Sequence, residues 1–567
     1  MKFKNKLTSA LLAVSLLGLG TVAQPTFAAE KSSSTSEAQF AVTRYNLTGY
    51  TDSSYIKPEV RAKLVSLLQE YTGNNVTVSK LNELRAKLQD VLNADAKGVF
   101  TVTLPNQRIT EGTVVFNINF VAGQVNYGSA PGFNQENVRR SIPSLREGVQ
   151  FVAGRPWVDE RELTMAVENP LKLTQVEYEL QPGKPITANV NVVAPRGKTL
   201  RYVSLDNSSS DKGVDYLRFM FGYLNANLTN RDDVLNLVLL TNLKSFDRYF
   251  AFGGSYSLPF YDAHQRLDVS LFNSSTNQED VSYDNESNLF YDVNGIGDVA
   301  LVNWSYYLPH FDWSYSNQIK FQTGFTFKRL KTSANYRLGD EALDELATKN
   351  VYYITPFNIG FVGKIVPVRG MEIEFSAKYN FFYAGFLGTD NINKLRVAGN
   401  RLVTAEKYSD WWTAWVNFKA GLPKNWTWVT QLKGQYSKKH LVSSEVFSND
   451  IRGFRSDYGS GDMGAYIKNE LITPSFTKVP NLDVKAYAFL DAGWVKWNSD
   501  EYDYTYNQTK RYGENNSRKD NVVASTGLGL RTSYKDWSAD IYGAYRLKGE
   551  DANRGKYSFW FTTSYRW

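Results

Sequence analysis

Residue types on which catalysis and cross-linking depend are missing or rare in this 567-residue chain, which has no cysteine and three histidines. Without cysteine the chain can form neither a disulfide nor a thiolate metal site, and it has no thiol nucleophile. The histidines are His264, His310 and His440, and none lies in a serine or aspartate pattern typical of a hydrolase. We expect His264 and His310 to lie in solvated turns. Because phosphate-binding loops and metal-ligand spacings are also missing, the sequence predicts a protein that is not an enzyme and binds neither a cofactor nor a metal.

Long hydrophobic runs are missing as well, apart from a short one near the N-terminus. Three lysines in the first six residues precede an apolar stretch from Leu11 to Leu19, and small residues lead up to Ala28. This pattern predicts a signal peptide at 1–28, since a membrane anchor would need about 20 apolar residues. No later stretch comes close to that length, so any membrane span has to be a closed β-barrel. The net charge of +7 is modest for this length and gives no sign of nucleic-acid binding.

A short polar linker at 29–39 precedes a region in which helical and strand patterns are mixed. Apolar residues recur at helical spacing from Val60 to Tyr71 and again from Leu81 to Leu92. Two strand-like runs, VFTVTL and TVVFNINF, follow them. The pattern predicts a small domain at 40–123 with the order β-α-α-β-β.

A second small domain is predicted at 124–196. Asp159 and Glu162 have the spacing of a capping box at the start of a helix. The runs VEYEL and ANVNV then alternate like strands, and Pro182-Gly183 makes the turn between them. The two domains could be a generic pair of small α+β binding domains.

Two segments in this region carry a more specific resemblance. LPNQRITEGTVVFNINFVAGQV and NPLKLTQVEYELQPGKPITANVNV resemble the two polypeptide-transport-associated (POTRA) domains of the two-partner secretion transporters, the haemolysin-activator, TpsB-type or ShlB/FhaC/HecB family. The resemblance runs through both segments. It implies that the domains lie in the periplasm and bind a secreted partner protein.

From about residue 200 to residue 567 helical spacing disappears, and apolar residues alternate with polar ones. The stretch from Ile319 to Lys328 is one example, with an apolar face and a polar or charged face. A water-soluble sandwich would bury the apolar face against another sheet, whereas an outer-membrane barrel turns it toward lipid and lines an aqueous lumen with the polar face. At roughly 10 residues per spanning strand plus loops, the length accommodates about 16 antiparallel strands. We therefore predict a transmembrane β-barrel over 200–567.

The C-terminal run KYSFWFTTSYRW favours the barrel over the sandwich. Phe561, Tyr565 and Trp567 lie on one face of this predicted strand, and the chain ends on an aromatic residue. The run resembles the closing strand that outer-membrane barrels present to their assembly machinery.

An arginine in a glycine-rich stretch is the strongest candidate for a functional residue. Arg452, Gly453 and Phe454 follow the turn signal Asn449-Asp450. A lone arginine on such a loop is usually solvated, but the flanking sequence resembles the sixth extracellular loop of the family, which folds back into the barrel lumen. We therefore predict that the loop around 449–462 inserts into the lumen.

A partner for the arginine is suggested by AFLDAGWV, which resembles a family motif of the form Phe-x-Asp-x-Gly. Its residues here are Phe489, Asp491 and Gly493. The resemblance implies that Asp491 faces the lumen and pairs with Arg452, because a carboxylate can receive both arms of a guanidinium. Where relatives often have Val and Tyr, this chain has Ile451 and Phe454. The residues after the loop also resemble the family's pattern: Gly461, Asp462, Gly464, Asn469 and Glu470.

These resemblances imply an outer-membrane translocator that exports one large partner exoprotein of the haemolysin, adhesin or contact-dependent toxin type. The expected partners are that secreted protein, outer-membrane lipid and the barrel-assembly machinery during biogenesis, with the barrel itself monomeric. We expect no N-terminal helix that plugs the lumen, because the linker at 29–39 is short and rich in serine. A factor that inserts other barrels into the outer membrane is the alternative, and a solute porin is a third possibility.

Overall fold

The structure, a computed structural model, describes most of the chain from residue 38 onward. The predicted signal peptide and most of the linker at 29–39 lie outside the described residues. The described ranges are 38–49, 56–96, 100–109, 111–148, 150–151, 158–179, 186–207, 217–243, 249–282, 289–311, 314, 316–338, 341–343, 347–391, 406–442, 444–454, 460–498, 520–549 and 556–567.

The described chain forms two compact units, the first built from residues among 38–48, 57–91 and 102–117. In this unit β1 pairs antiparallel with β3, and α1 buries Val60 and Leu64. Helix α1 begins with proline, whose missing N–H is not needed in a first turn. The two helices were predicted, whereas β3 between them was not. The elements up to residue 127 are β1 (Gln39–Val42), β2 (Arg44–Gly49), α1 (Pro58–Glu70), β3 (Gly73–Thr77), α2 (Val78–Ala96), β4 (Phe100–Thr103) and β5 (Thr113–Tyr127).

The second unit contains nearly everything described from residue 118 onward, and it begins with a small α+β region. Its β8 pairs in parallel with the end of β5 and antiparallel with β7. Strand β5 crosses the predicted domain boundary at residue 123, and the boundaries at 123 and 196 stay predictions. The further elements are α3 (Gln135–Ser141), β6 (Gln150–Phe151), α4 (Glu160–Val167), β7 (Leu173–Glu179) and β8 (Ile186–Val193).

The start of α4 differs in detail from the predicted capping box. Asp159 is the N-cap, and its carboxylate accepts the N–H of Arg161 at 3.0 Å. Glu162 does not reach back to the N–H of Asp159 but accepts the Ser144 hydroxyl at 2.6 Å. Ser144 Oγ instead accepts that N–H at 3.2 Å, so a residue from outside the helix completes the cap.

The remainder of the second unit is a closed antiparallel barrel. Long strands dominate its first half, and β28 pairs with β9 to close it. The strand segments are β9 (Thr199–Asp206), β10 (Arg218–Asn225), β11 (Val234–Asn242), β12 (Tyr249–Phe260), β13 (Gln265–Ser282), β14 (Leu289–Tyr307), β15 (Ser316–Leu338), β16 (Glu341–Ala342), β17 (Thr348–Ile354), β18 (Phe357–Val366), β19 (Met371–Tyr383), β20 (Tyr408–Gly421), β21 (Thr427–Tyr436), β22 (Phe447–Ser448), β23 (Ser460–Gly461), β24 (Met463–Ile472), β25 (Leu482–Lys496), β26 (Asp520–Tyr534), β27 (Trp537–Lys548) and β28 (Tyr557–Arg566).

The wall of the barrel has 16 strands in the described part of the chain, as predicted. Segments β16, β17 and β18 all pair with β15, one above the other, and therefore count as one strand, of which β17 and β18 are the two long parts. Their interruption is Thr355-Pro356, where proline cannot donate a ladder hydrogen bond. Among the described helices, none is long and apolar enough to cross a membrane.

Alternation along the wall strands turns large apolar side chains outward. On β28, Phe559 is 62 % exposed while Trp560, the next residue, is buried. The predicted face of Phe561, Tyr565 and Trp567 is the outward one, and the rings of Tyr565 and Trp567 stack with centroids 5.7 Å apart. Such an apolar outer band is what a lipid-facing barrel requires.

Within the second unit, buried charges connect the small α+β region to the mouth of the barrel, and we call this set of contacts the polar joint. Lys172 pairs with Asp232, and both side chains are fully buried. Glu168, at the end of α4, pairs with Arg266 and with Lys320, the latter at 2.9 Å. Burial alone would raise the pKa of the Glu168 carboxyl, but the two cations lower that pKa below its ordinary value.

Two histidines also lie at this end of the barrel. They lie in connections between strands, as predicted, but they are only partly solvated. The His264 side chain is 16 % exposed and the His310 side chain 23 %. His310 Nδ1 lies 3.1 Å from a carboxylate oxygen of Glu160. The turns that carry them pack against α4, which local sequence could not show.

Candidate functional site

The chain between β21 and β24 folds into the barrel before it returns to the wall. Leu441 and Val442 are completely buried in a cluster with wall residues that include Phe382 and Trp411. Strands β22 and β23 pair with each other and make a short hairpin within this loop. Residues 455–459 of the predicted loop lie outside the described residues. The described part of the loop is thus packed against the inner wall.

Asp462 holds the base of the loop. Its buried carboxylate accepts the backbone N–H of Leu441 at 2.8 Å and that of Asn498 at 3.0 Å. A Cβ on the neighbouring Gly461 would lie 2.5 Å from the carbonyl oxygen of Lys496. The loop therefore enters and leaves over wall backbone that only glycine can approach this closely.

The tip of the loop is attached to the wall by Arg452. Its Nε donates to Asp491 Oδ2 and its Nη2 donates to Asp491 Oδ1, each at 2.7 Å. The Asp491 side chain is completely buried and that of Arg452 is 10 % exposed. The third arm of the guanidinium, Nη1, donates to Glu470. Two parallel charged hydrogen bonds fix the orientation of the guanidinium as well as its position.

The charge network continues along the wall beyond Glu470. Arg531 donates to both oxygens of Glu470, at 2.7 and 2.9 Å, and its Nε donates to Asp540 at 2.9 Å. Tyr487 donates its hydroxyl to the other Asp540 oxygen at 2.6 Å. Glu470 is thus shared between an arginine of the loop and an arginine of the wall, so the loop completes a network that the wall begins.

Two aromatic rings stack against the guanidinium groups of Arg452 and Arg531. The Arg452 guanidinium carbon lies 4.0 Å from the Phe489 ring centroid, and that of Arg531 lies 4.3 Å from the Tyr487 centroid. Stacking of this kind adds a cation–π attraction to the ion pairs.

Opposite these rings the neighbouring strand β26 carries glycine. A Cβ on Gly527 would lie 2.5 Å from the Phe489 ring, and one on Gly529 would lie 2.3 Å from the Tyr487 ring. The rings therefore occupy the space of the missing side chains. This close fit fixes the level at which the two guanidinium groups stack.

Backbone contacts hold the tip itself. Gly453 has φ +89°, a conformation that side chains with a Cβ rarely adopt, and a Cβ there would meet the Ala544 Cβ at 2.9 Å. Ser525 Oγ donates to the Arg452 carbonyl at 2.5 Å, and Arg546 Nε donates to the Gly453 carbonyl at 2.7 Å. The tip is therefore held by two wall strands, β26 and β27, as well as by its arginine.

The aromatic residue of the tip is buried. Phe454 packs with Ile451, Val495 and Val523, and the Arg546 guanidinium carbon lies 5.3 Å from its ring centroid. Phe454 lacks the hydroxyl that a tyrosine would have at this position, and it is held by apolar contacts and by the stacked guanidinium of Arg546.

Two further glycines make room for the loop on the wall. A Cβ on Gly493 would lie 2.4 Å from Asn449 Oδ1, and one on Gly464 would lie 2.5 Å from the ring of Phe447. Both contacts are with loop residues that lie between β21 and the tip. The glycine of the predicted Phe-x-Asp-x-Gly motif is therefore part of the loop's binding surface.

Not every predicted site residue is brought together. Asn469 faces outward, where it accepts a hydrogen bond from Thr430 at 2.8 Å, and the C-terminal aromatic residues also lie on the outer face. The cluster also contains residues that were not predicted from the sequence: Tyr487, Ser525, Gly527, Gly529, Arg531, Asp540 and Arg546. Several of them lie on lumen-facing positions of alternating strands, but alternation alone does not say which position meets a loop.

Comparison with known protein families finds a match in the part of the chain that contains the loop. Residues 385–532, which contain both the loop and Asp491, match the family model described as haemolysin secretion/activation protein ShlB/FhaC/HecB. The heme/hemopexin transporter protein HuxB of Haemophilus influenzae aligns over 547 residues, covering 93 % of this chain and 87 % of HuxB at 21 % identity. The family model and the HuxB alignment together support a transporter of the ShlB/FhaC/HecB type. They support the predictions that the protein is a two-partner secretion transporter and that it is not an enzyme.

A second relative is similar over part of the chain, and two solved structures share its fold. The outer membrane transporter CdiB of Escherichia coli is 30 % identical over 135 residues, a segment that spans 23 % of this chain and 22 % of CdiB. The structure of E. coli CdiB superimposes with a TM-score of 0.61 at 16 % identity, covering 96 % of this chain and 93 % of that one. CdiB from Acinetobacter baumannii gives 0.56 at 16 % identity, with 97 % and 95 % covered. The shared fold confirms the predicted barrel. The comparisons also support the predicted location in the outer membrane, with the α+β region in the periplasm.

Proposed function

We propose that this transporter exports one large partner exoprotein through its barrel. The observation that carries the proposal is the loop tip, which Arg452 ties to Asp491 and Glu470 inside a closed wall. A solute porin has no need for a loop tip held in this way or for an α+β region at its periplasmic mouth. The partner would be of the haemolysin, adhesin or contact-dependent toxin type.

Capture of the partner would take place on the two predicted POTRA domains. Within the described residues β7 pairs only with β8, so its other edge offers backbone hydrogen-bonding groups. An extended segment of the partner could add to such an edge, where backbone bonds give affinity and side-chain pockets give selectivity. No nucleotide is required, because folding of the partner outside the cell removes it from the pore equilibrium.

Passage through the barrel requires the loop to give way, since its tip is buried against the wall. Ile451 and Phe454 are 2 % and 5 % exposed. The ion pairs of Arg452 specify one docked position. Once the lumen is hydrated, however, water can replace the carboxylates as partners of the guanidinium, since both charges are then solvated. We infer that the docked tip is the resting arrangement and that it is displaced during export.

Comparative proteomics of culture medium and outer membrane, with and without the gene in its native host, tests the proposal. We expect the loss of one very large exoprotein from the medium and an unchanged set of outer-membrane barrels. A broad loss of barrels from the membrane would instead identify a barrel-insertion factor, and unchanged medium and membrane would favour a porin.

A deletion separates capture from conduction. Removal of Phe40 to Val193 should leave a barrel in the outer membrane that no longer exports the partner. Continued export by the shortened protein would show that the α+β domains do not capture it.

A further inference from the structure

Three potential metal ligands meet where α4 approaches the barrel. Asp159 and Glu162 lie at the start of α4, and His264 lies in the turn between β12 and β13. One ligand atom from each lies within 4.8 Å of the other two. His264 Nε2 is 3.1 Å from Asp159 Oδ2 and 4.0 Å from Glu162 Oε1. All three residues belong to the second compact unit.

These separations suit a zinc ion. Zinc bonds of about 2.0–2.1 Å in a tetrahedron place neighbouring ligand atoms roughly 3.3 Å apart. The two observed separations lie on either side of that value. Zinc accepts an imidazole together with carboxylates, whereas calcium and magnesium prefer oxygen ligands alone.

The imidazole itself points to a missing ligand. His264 Nε2 is buried and makes no hydrogen bond of acceptable geometry, although Asp159 Oδ2 is only 3.1 Å away. A buried ring nitrogen without a well-formed hydrogen bond is costly unless something else binds it. A cation between the nitrogen and the two carboxylates would satisfy it.

Neighbouring side chains already hold both carboxylates in place. Ser144 donates its N–H and its hydroxyl to Glu162, the hydroxyl at 2.6 Å. Arg161 donates its Nε to Asp159 Oδ1 at 2.9 Å and its Nη2 to Oδ2 at 2.6 Å. Hydrogen bonds of this kind orient the ligands of metal sites. Because Arg161 also brings positive charge close to the site, we expect moderate rather than very tight binding.

We propose that Asp159, Glu162 and His264 bind one Zn²⁺ ion, with water in the fourth position. The ion would join α4 to a turn of the barrel at its periplasmic mouth. The ligands come from two distant parts of the chain, which explains why no metal-binding spacing is visible in the sequence.

Zinc binding by the full chain, purified in detergent without a histidine tag, tests the proposal. After treatment with a chelator, isothermal titration with Zn²⁺ should show one site per chain. Glu162→Gln, which keeps the size of the side chain, and His264→Ala should each weaken binding at least tenfold. His310→Ala is the matched control, since His310 lies against Glu160 at the same end of the barrel, and it should bind zinc like the unaltered protein.

X-ray absorption of the zinc-loaded protein should show one imidazole among oxygen ligands. Equal zinc binding before and after His264→Ala and Glu162→Gln, equal loss in His310→Ala, or binding of Ca²⁺ in place of Zn²⁺ would overturn the assignment. Heat-modifiable migration in gels establishes that each variant is a folded barrel. If His264→Ala does not assemble, Glu162→Gln and the absorption spectrum decide the question.

Discussion

The loop tip and the polar joint both consist of buried charges, yet they distribute these charges differently. At the tip, one loop residue, Arg452, makes the buried ion pairs to the wall, and the pair of Asp450 with Lys468 involves an exposed carboxylate. At the joint, Glu168 and Lys172 each pair with wall residues of their own. Ion pairs that share one side chain can be lost together in one step, whereas ion pairs spread over several side chains persist when one of them is lost. This difference indicates that the tip can detach from the wall, whereas the polar joint keeps the α+β region attached to the barrel.

The largest effect is expected from Arg452→Ala. It leaves Asp491 without its guanidinium partner and Glu470 with Arg531 alone, and removing one member of a buried pair typically costs about 3–5 kcal/mol. We expect undocking of the tip and at least tenfold less exported partner, measured in the medium by quantitative immunoblot. Barrel assembly should be unchanged, because the 16-strand wall does not depend on the loop.

Lys468→Ala is the matched control for that variant. Lys468 pairs at 2.6 Å with Asp450, which is 67 % exposed, so the loss removes a charge near the tip without touching Arg452. Export should remain near normal. Equal defects in the two variants would mean that any ion pair between loop and wall, and not the Arg452 contact in particular, matters.

Asp491→Asn should have the next largest effect. The amide keeps the size of the side chain but can accept from only one arm of Arg452, while Glu470 still receives another. We expect export between that of the unaltered protein and that of Arg452→Ala. Asp483→Asn, on the same strand and paired with Lys485 in a half-exposed position, should export normally, and a defect there would contradict the role given to Asp491.

Gly453→Ala tests the backbone contacts of the tip. A side chain at φ +89° costs about 1–3 kcal/mol, and the new Cβ would meet Ala544 Cβ at 2.9 Å. We expect faster cleavage of the loop by added protease and a moderate loss of export. Adding Ala544→Gly should restore part of both, since it removes the contact but not the backbone strain. If Ala544→Gly restores nothing, the loss of export is due to backbone strain at position 453 alone and not to the contact between the two Cβ atoms.

The smallest effect should come from Tyr307→Phe in the polar joint. It removes the hydroxyl that donates to Glu168 at 2.5 Å, while Arg266 and Lys320 still pair with that carboxylate. We expect a loss of about 1 kcal/mol of stability, seen as a slightly lower temperature of heat-induced gel shift, and normal export. A secretion defect as severe as that of Arg452→Ala would erase the distinction between tip and joint.

Much of the fold could be predicted from local patterns, because alternation and helical spacing are properties of neighbouring residues. The contact between Arg452 and Asp491 was anticipated only through the resemblance of two short motifs to a known family. Nothing local indicated that Glu470 would bridge Arg452 and Arg531. Such partners lie on different strands, so their meeting depends on the register of the closed wall.

Aromatic residues show the same limit. Trp411 and Trp412 are adjacent, and both would suit a membrane interface. In the structure Trp412 is 56 % exposed, whereas Trp411 is 4 % exposed and packs with Leu441 of the loop. Alternation requires one of the two to face inward, but the inner face had no known occupant until the loop was placed there.

The unequal strand lengths of the wall have a consequence for the exit side. Strand β15 has 23 residues, and its outward side chains change from Phe325 and Phe327 to Arg329 and Lys331. The remaining residues, at about 3.3 Å each, extend the strand by roughly 35 Å along its own tilted direction. Strands β21 and β24 have only 10 residues each. The rim is therefore higher at β15 than at β21 and β24. An exported polypeptide would leave the sheet first on the side of β21 and β24, while β15 and its neighbours would still cover its opposite side.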